Sequence, residues 1–301
     1  MFNRLKNQLD TVTNAGPTQK NAVIRVIGDR ASGKTTYMAA LARFPHAASN
    51  SLIQSITSVN DDGNELISKA QNLLEQGLEL EPTDLTANTE DISDYQLSIT
   101  LNGQSRLKGA GGAPIQLNIS CKDYAGEFFS DLLFRDRDPK LADYLEDCAQ
   151  ATGIMFLIDG SAQRKDAEYA AALDKFLKAL SNTSQTSQLK RIAFVLTKCE
   201  LPDLWIKRHQ PEQLAQAKFK QVCTKLRAWK STTKGNIDFF TTSAFGVVGT
   251  RFPEANSKQQ SRDRGGVTSI LQDPQHWKPF GLVSPIYWLC TGDRHQKLDE
   301  E

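Results

Sequence analysis

Eight consecutive residues, Gly28-Asp29-Arg30-Ala31-Ser32-Gly33-Lys34-Thr35, carry the densest chemistry in this chain. They fit G-x-x-x-x-G-K-[ST], a pattern suited to holding phosphate. The glycines permit backbone angles that turn successive amide N–H groups toward one anion. Lys34 is a fixed positive charge placed for the outer phosphates, and Thr35 offers a hydroxyl to Mg²⁺. A helix starting at Gly33 would aim its N-terminal dipole at the same anion. Nucleotide contacts are therefore expected along Asp29, Arg30, Ala31, Ser32, Gly33, Lys34, Thr35 and Thr36.

Three later segments offer complementary groups. Asp123-Tyr124-Ala125-Gly126 reads D-x-x-G at the end of an alternating stretch. Asp123 would hold Mg²⁺ through water, and the Gly126 amide would bond a γ-phosphate. Asp159, after the apolar run GIMFLID, is a second candidate for the metal carboxylate, as in an ATPase. Asp123 is preferred because a glycine follows it at the required spacing. Thr197-Lys198-Cys199-Glu200 resembles the guanine-specificity motif N-K-x-D in a T-K form. A carboxylate there accepts from guanine N1–H and the N2 amine, a donor pair that adenine lacks. The Lys198 stem would lie over the base, and Thr197 would tie the segment to the glycine loop. Glu200 stands where Asp is usual, and its extra methylene displaces the carboxylate. Thr242-Ser243-Ala244 resembles the S-A-x loop, whose backbone amide meets guanine O6.

The elements that position these groups follow from hydrophobic periodicity. AVIRVI (22–27) is a short β-branched run and predicts a buried strand. The segment 34–44 predicts a helix that Pro45 ends. Residues 95–103 and 115–123 alternate with period two and predict a hairpin around a Gly-rich turn. Strands at 153–159, 191–197 and 236–242 alternate with helices near 165–180 and 211–230, and a last helix covers 284–290. Such alternation predicts an α/β fold, three layers deep (α/β/α), with a mostly parallel sheet and one antiparallel hairpin strand. The expected organisation is an N-terminal amphipathic arm at 1–20 and a single domain at 21–301. Insertions fall near 46–92, with a helical patch around Leu66 to Leu74, and near 246–283, expected as a long, partly mobile loop.

Composition excludes several classes. In 301 residues, 39% hydrophobic and 24% charged content is ordinary for a globular chain, and a net charge of +1 gives no field for nucleic acid. No apolar run reaches the length of a bilayer span, and the N-terminus lacks a signal peptide's apolar core. Five scattered cysteines without C-x-x-C spacing and four isolated histidines point to a reducing, cytoplasmic setting without structural zinc.

The four motifs in this order resemble the Ras-like, TRAFAC-class GTPases over about residues 22–244. The 246–283 segment and the Gly28–Thr35 loop are similar to bacterial stand-alone members, including the double-GTPase group. The resemblance implies a P-loop NTPase fold, GTP/GDP and Mg²⁺ as ligands, and a switch that acts on a protein effector, with a GTPase-activating partner. It implies a switch threonine before the hairpin, for which Thr89 is chosen over Thr83 and Thr86. Gln usually follows D-x-x-G in the family and orients the attacking water. Here that residue is Glu127, and Arg30 replaces a usual glycine. Glu127, Arg30 and Lys34 are therefore the catalytic candidates, with slow turnover expected. Two other readings stay open: a nucleotide-holding scaffold without turnover, and a P-loop kinase using ATP, with Arg135 and Arg137 as its lid.

Overall fold

The structure, a computed structural model, describes residues 17–44, 51–78, 92–103, 112–123, 128–134, 139–182, 191–261 and 267–300. The chain runs β1 (Thr18–Ile27), α1 (Lys34–Arg43), β2 (Ile53–Ser58), α2 (Asp61–Gln76), β3 (Asp94–Gly103) and β4 (Gly112–Asp123). It continues through α3 (Phe128–Phe134), α4 (Pro139–Gln150), β5 (Gly153–Asp159), α5 (Asp166–Asn182) and β6 (Arg191–Thr197). Then follow α6 (Pro202–Trp205), α7 (Pro211–Lys218), α8 (Lys220–Thr232) and β7 (Asn236–Thr241). Four short strands come next, β8 (Val247–Val248), β9 (Glu254–Ala255), β10 (Ser257–Ser261) and β11 (Val267–Leu271), and then α9 (Ser284–Thr291) and α10 (Gln296–Glu300).

Seven strands form one sheet in the order β2-β3-β4-β1-β5-β6-β7. β3 runs antiparallel to both its neighbours, and β4, β1, β5, β6 and β7 pair in parallel. Among the described residues, β3 is thus the one strand of this sheet that runs against the rest. The central parallel strands β5 and β6 are continuous apolar runs because both their faces are covered, whereas β4 alternates. On β5, Met155 and Leu157 enter one core, while Ile154, Phe156 and Ile158 enter the other. α1, α2 and α9 supply the first core, and α4, α5, α7 and α8 supply the second. Each such apolar side chain contributes about 1.5–3 kcal/mol on full burial. The result is the three-layer α/β/α arrangement of P-loop NTPases.

Several elements differ from the sequence expectations. β1 starts at Thr18, so residues 18–20 belong to a strand, and residues 1–16 lie outside the described residues. The 46–92 segment contains a further strand, β2, whose sequence IQSITS has apolar residues too sparse for a period-two signal. It also contains α2, capped by Asn60, whose Oδ1 accepts from the Gly63 amide, and ended by left-handed Gly77. The helix expected near 211–230 is two helices, broken at Phe219 with φ −134°. Residues 246–283 hold two hairpins, β8-β9 and β10-β11, rather than a plain loop. Asn256 is fully buried there and joins the hairpins: its side chain donates to the Asp273 carbonyl and accepts from the Asp273 amide, at 2.9 and 2.7 Å.

Candidate nucleotide site

The parallel strands bring their C-terminal ends to one edge of the sheet, where α/β folds bind ligands. Register places Asp123 beside Val26, Phe156 beside Ile27, and Thr197 beside Asp159. The loops after β1, β4, β5 and β6 therefore start side by side.

The loop after β1 is tightly wound. A Cβ on Gly28 would lie 2.2 Å from the Leu157 carbonyl oxygen, so only glycine lets β1 and β5 approach this closely. Gly33 has φ +90°, and no side chain caps the start of α1, which leaves its first-turn amides for an anion. The Lys34 ammonium folds back over the loop and donates to the Gly28 and Asp29 carbonyls at 3.0 and 3.2 Å. Its side chain is buried, while Thr35 and Thr36 are partly exposed and Arg30 is exposed.

The loop after β6 is hydrogen-bonded to the glycine loop. The Thr197 hydroxyl donates to the Ser32 carbonyl at 2.6 Å and lies 3.2 Å from the Ile158 carbonyl. Lys198 has φ +59°, and its ammonium donates to Asp159 Oδ2 at 2.6 Å. Among the described residues, Ala31 and Lys198 are the two non-glycine residues with positive φ, one in each loop. Such strain gathers at ligand sites because the surrounding structure holds it in place. The Cys199 amide then donates to the Thr242 carbonyl at 3.1 Å, which brings the third loop alongside. Ser243 is fully buried, its amide and carbonyl pair with Phe280, and its hydroxyl accepts from the Gly246 amide at 2.7 Å. The Ala244 carbonyl accepts from the Trp277 indole at 2.8 Å.

Glu200 sits among these groups and is 5% exposed. Burial pushes its carboxyl up from the ordinary value, while the Ser243 hydroxyl and the Lys198 charge pull the other way. Among the described residues, its Oε2 is a buried acceptor without a partner, and so is Ser32 Oγ in the glycine loop. Buried polar atoms are normally satisfied, so each of these two is an acceptor whose partner the chain itself does not supply.

A sequence model of the family described as Double-GTPase 2 matches residues 22–257. The chain belongs to this family. Among solved structures it is similar to a bacterial selenocysteine-specific elongation factor, EF-Sec, at 15% identity and a TM-score of 0.34, over 75% of this chain and 26% of that one. It is also similar to the GTP-bound GTPase-like domain of Ski7 from S. cerevisiae, at 15% identity and a TM-score of 0.36, over 78% and 45%. A third is the small GTPase Arl6 BBS3 from Trypanosoma brucei, bound to the nucleotide analogue GppNp, at 10% identity and a TM-score of 0.34, over 74% and 87%. The chain spans less than half the length of the first two. No curated protein matches it. Among the described residues, no helix is long and apolar enough to cross a membrane.

In this Double-GTPase 2 member, Lys34, Thr197, Lys198, Glu200, Ser243 and Ala244 thus lie on adjoining loops. Asp123 ends β4 beside β1. Gly126, Glu127, Thr89, Thr83, Thr86, Arg135 and Arg137 lie outside the described residues. Asp159, the alternative to Asp123 for the metal carboxylate, pairs with Lys198 and accepts from Ser161. Sequence reasoning missed Lys165 and Tyr169, which both bond the Asp29 carboxylate. Their separation in sequence from Asp29 left no local signal.

Proposed function

We propose that this protein binds GTP and GDP with Mg²⁺ and works as a molecular switch with slow GTP hydrolysis that acts on a protein effector. The observation that carries the reading is the buried Glu200 carboxylate with Oε2 unpaired, on a loop that Thr197 bonds to the glycine loop. Guanine N1–H and N2–H are the donors such an acceptor lacks, and adenine offers no equivalent pair. The glycine loop fits the phosphates on independent grounds: uncapped helix amides, a lysine folded over it, Gly28 where a Cβ would have no room, and Gly33 with a positive φ.

In this reading Lys34 leaves the Gly28 and Asp29 carbonyls to donate to phosphate oxygens. The amides from Asp29 to Thr36 line the same anion. Thr35, Asp123 and Thr89 would hold Mg²⁺, which would neutralise charge at the phosphates when bound. Lys198 covers the base face, and the Ala244 amide meets its O6, with Ser243 setting the turn. The Gly126 amide senses the γ-phosphate, and the segments around Thr89 and after Gly126 rearrange with it. Glu127 in place of Gln orients water less well and adds negative charge near the phosphates, so turnover is slow until a GTPase-activating partner assists.

A scaffold with little hydrolysis is the second reading. It is favoured by Arg30, exposed in the loop, whose bulk would crowd a bound γ-phosphate. Measured turnover beside nucleotide affinity decides between them. Slow release of phosphate that rises with an activating partner supports the switch, and tight binding without turnover under every condition supports the scaffold. Failure to bind guanine nucleotide at all would overturn both.

A further inference from the structure

Asp29 is an acid near the start of a loop that must surround phosphate, an arrangement that needs its charge answered. Two side chains from outside the loop do so. The Lys165 ammonium donates to Asp29 Oδ2, and the Tyr169 hydroxyl donates to the same oxygen at 2.8 Å. The other oxygen, Oδ1, accepts from the Arg30 amide at 2.7 Å. The Asp29 backbone carbonyl accepts from both Lys34 and the Ser32 amide, at 3.2 and 3.1 Å. Asp29 therefore joins the inner turn of the loop to outer elements. Lys165 ends the short 3₁₀ turn Gln163–Lys165, and Tyr169 lies in the first turn of α5. Tyr169 is itself fixed: it is buried, with its ring centroid 6.3 Å from that of Phe219 on the edge of α8.

Resting on the nucleotide-binding reading above, we infer that Lys165 and Tyr169 are positioning residues that hold the phosphate loop in register through Asp29. The physical argument is preorganisation. A loop already held in its binding shape loses less conformational entropy when the ligand arrives. The brace also screens a carboxylate that would otherwise repel phosphate. Burial opposes ionisation of Asp29, but the bonds from Lys165, Tyr169 and the Arg30 amide outweigh it and hold its carboxyl below the ordinary value. The same helix reaches the segment after Asp123, because Lys175 on α5 donates to the Leu133 carbonyl of α3 at 2.8 Å. The phosphate loop and α3 thus share one support.

Calorimetric titration of the full chain with GTP and, separately, with inorganic tripolyphosphate tests the brace. Lys165→Met and Asp29→Asn should each weaken both ligands about tenfold, the scale of one lost charge-assisted bond. The double variant should be no weaker than the worse single, since both remove one interaction. Lys165→Arg should recover most of the affinity, and Tyr169→Phe should lose a smaller part of it. Rescue by arginine separates positioning from a general packing defect, as does an unchanged unfolding midpoint without ligand. Undiminished tripolyphosphate affinity in Lys165→Met, or additive losses in the double variant, would overturn the inference. Tripolyphosphate binding that depends on Lys165, without preference for GTP, would fail the base reading and support the brace. Absence of wild-type binding to both ligands would overturn both.

Discussion

The Thr197 hydroxyl donates to the Ser32 carbonyl at 2.6 Å, so the loop after β6 and the loop after β1 form one hydrogen-bonded unit. The two residues are far apart in sequence and are joined because β6 lies two strands from β1 in a parallel sheet. Thr197→Val keeps the shape of the side chain and removes the donor. The Ser32 carbonyl then loses a buried partner, at a cost of about 1–3 kcal/mol. Chemical denaturation should report that loss without ligand, and nucleotide affinity should fall further because the base and phosphate loops are no longer held together.

Lys34→Ala should remove nucleotide binding to beyond about a hundredfold weaker, the scale of two charge-assisted bonds at about 1.5–3 kcal/mol each. In the free protein the same change releases two carbonyls at the edge of the cradle. A fluorescence titration with a labelled guanine nucleotide measures the effect, and unchanged affinity would remove the loop from the site.

Glu200 gives the protein a pH signature. Its carboxyl is raised in the folded chain, so the folded state favours the neutral form. The stability from this group is complete below the ordinary carboxyl value and is lost as pH rises from there through the folded value. Glu200→Gln should therefore be more stable than the wild type at neutral pH, with the difference closing under acid conditions. Guanine recognition needs the ionised form, so GTP binding should release protons and strengthen with pH across the same window. Denaturation and calorimetry in buffers of different ionisation enthalpy measure both effects.

Thr35→Ala should weaken GTP affinity by about tenfold in Mg²⁺, and little in a chelator, if its hydroxyl holds the ion. Equal losses with and without the metal would remove Thr35 from that role.

The strands at 153–159 and 191–197 were legible in the sequence to the residue, because they are unbroken apolar runs buried on both faces. The glycine loop was legible because its strand, turn and helix are contiguous. β2 was not, since Ile53 and Ile56 are three apart and its partner β3 lies beyond a helix. β8 to β11 were missed because each is only two to five residues long, and their hold on the domain is not local: Asn256 bonds Asp273, and Ile270 and Leu271 are buried. The Lys198–Asp159 pair needs the β5-β6 register to be seen. The buried state of Glu200 likewise depends on Ser243 and the elements packed behind it, which local sequence does not report.

In the proposed function, Gly28–Thr35 and Thr197–Glu200 together form a guanine-specific site. Competition of unlabelled GTP, GDP and ATP against a fluorescent guanine nucleotide, in Mg²⁺ at neutral pH, tests it most directly. GTP and GDP should displace the probe at concentrations at least about a hundredfold below ATP, as a site built around a base's own donors requires. Equal displacement by ATP and GTP would rule out guanine specificity at this site.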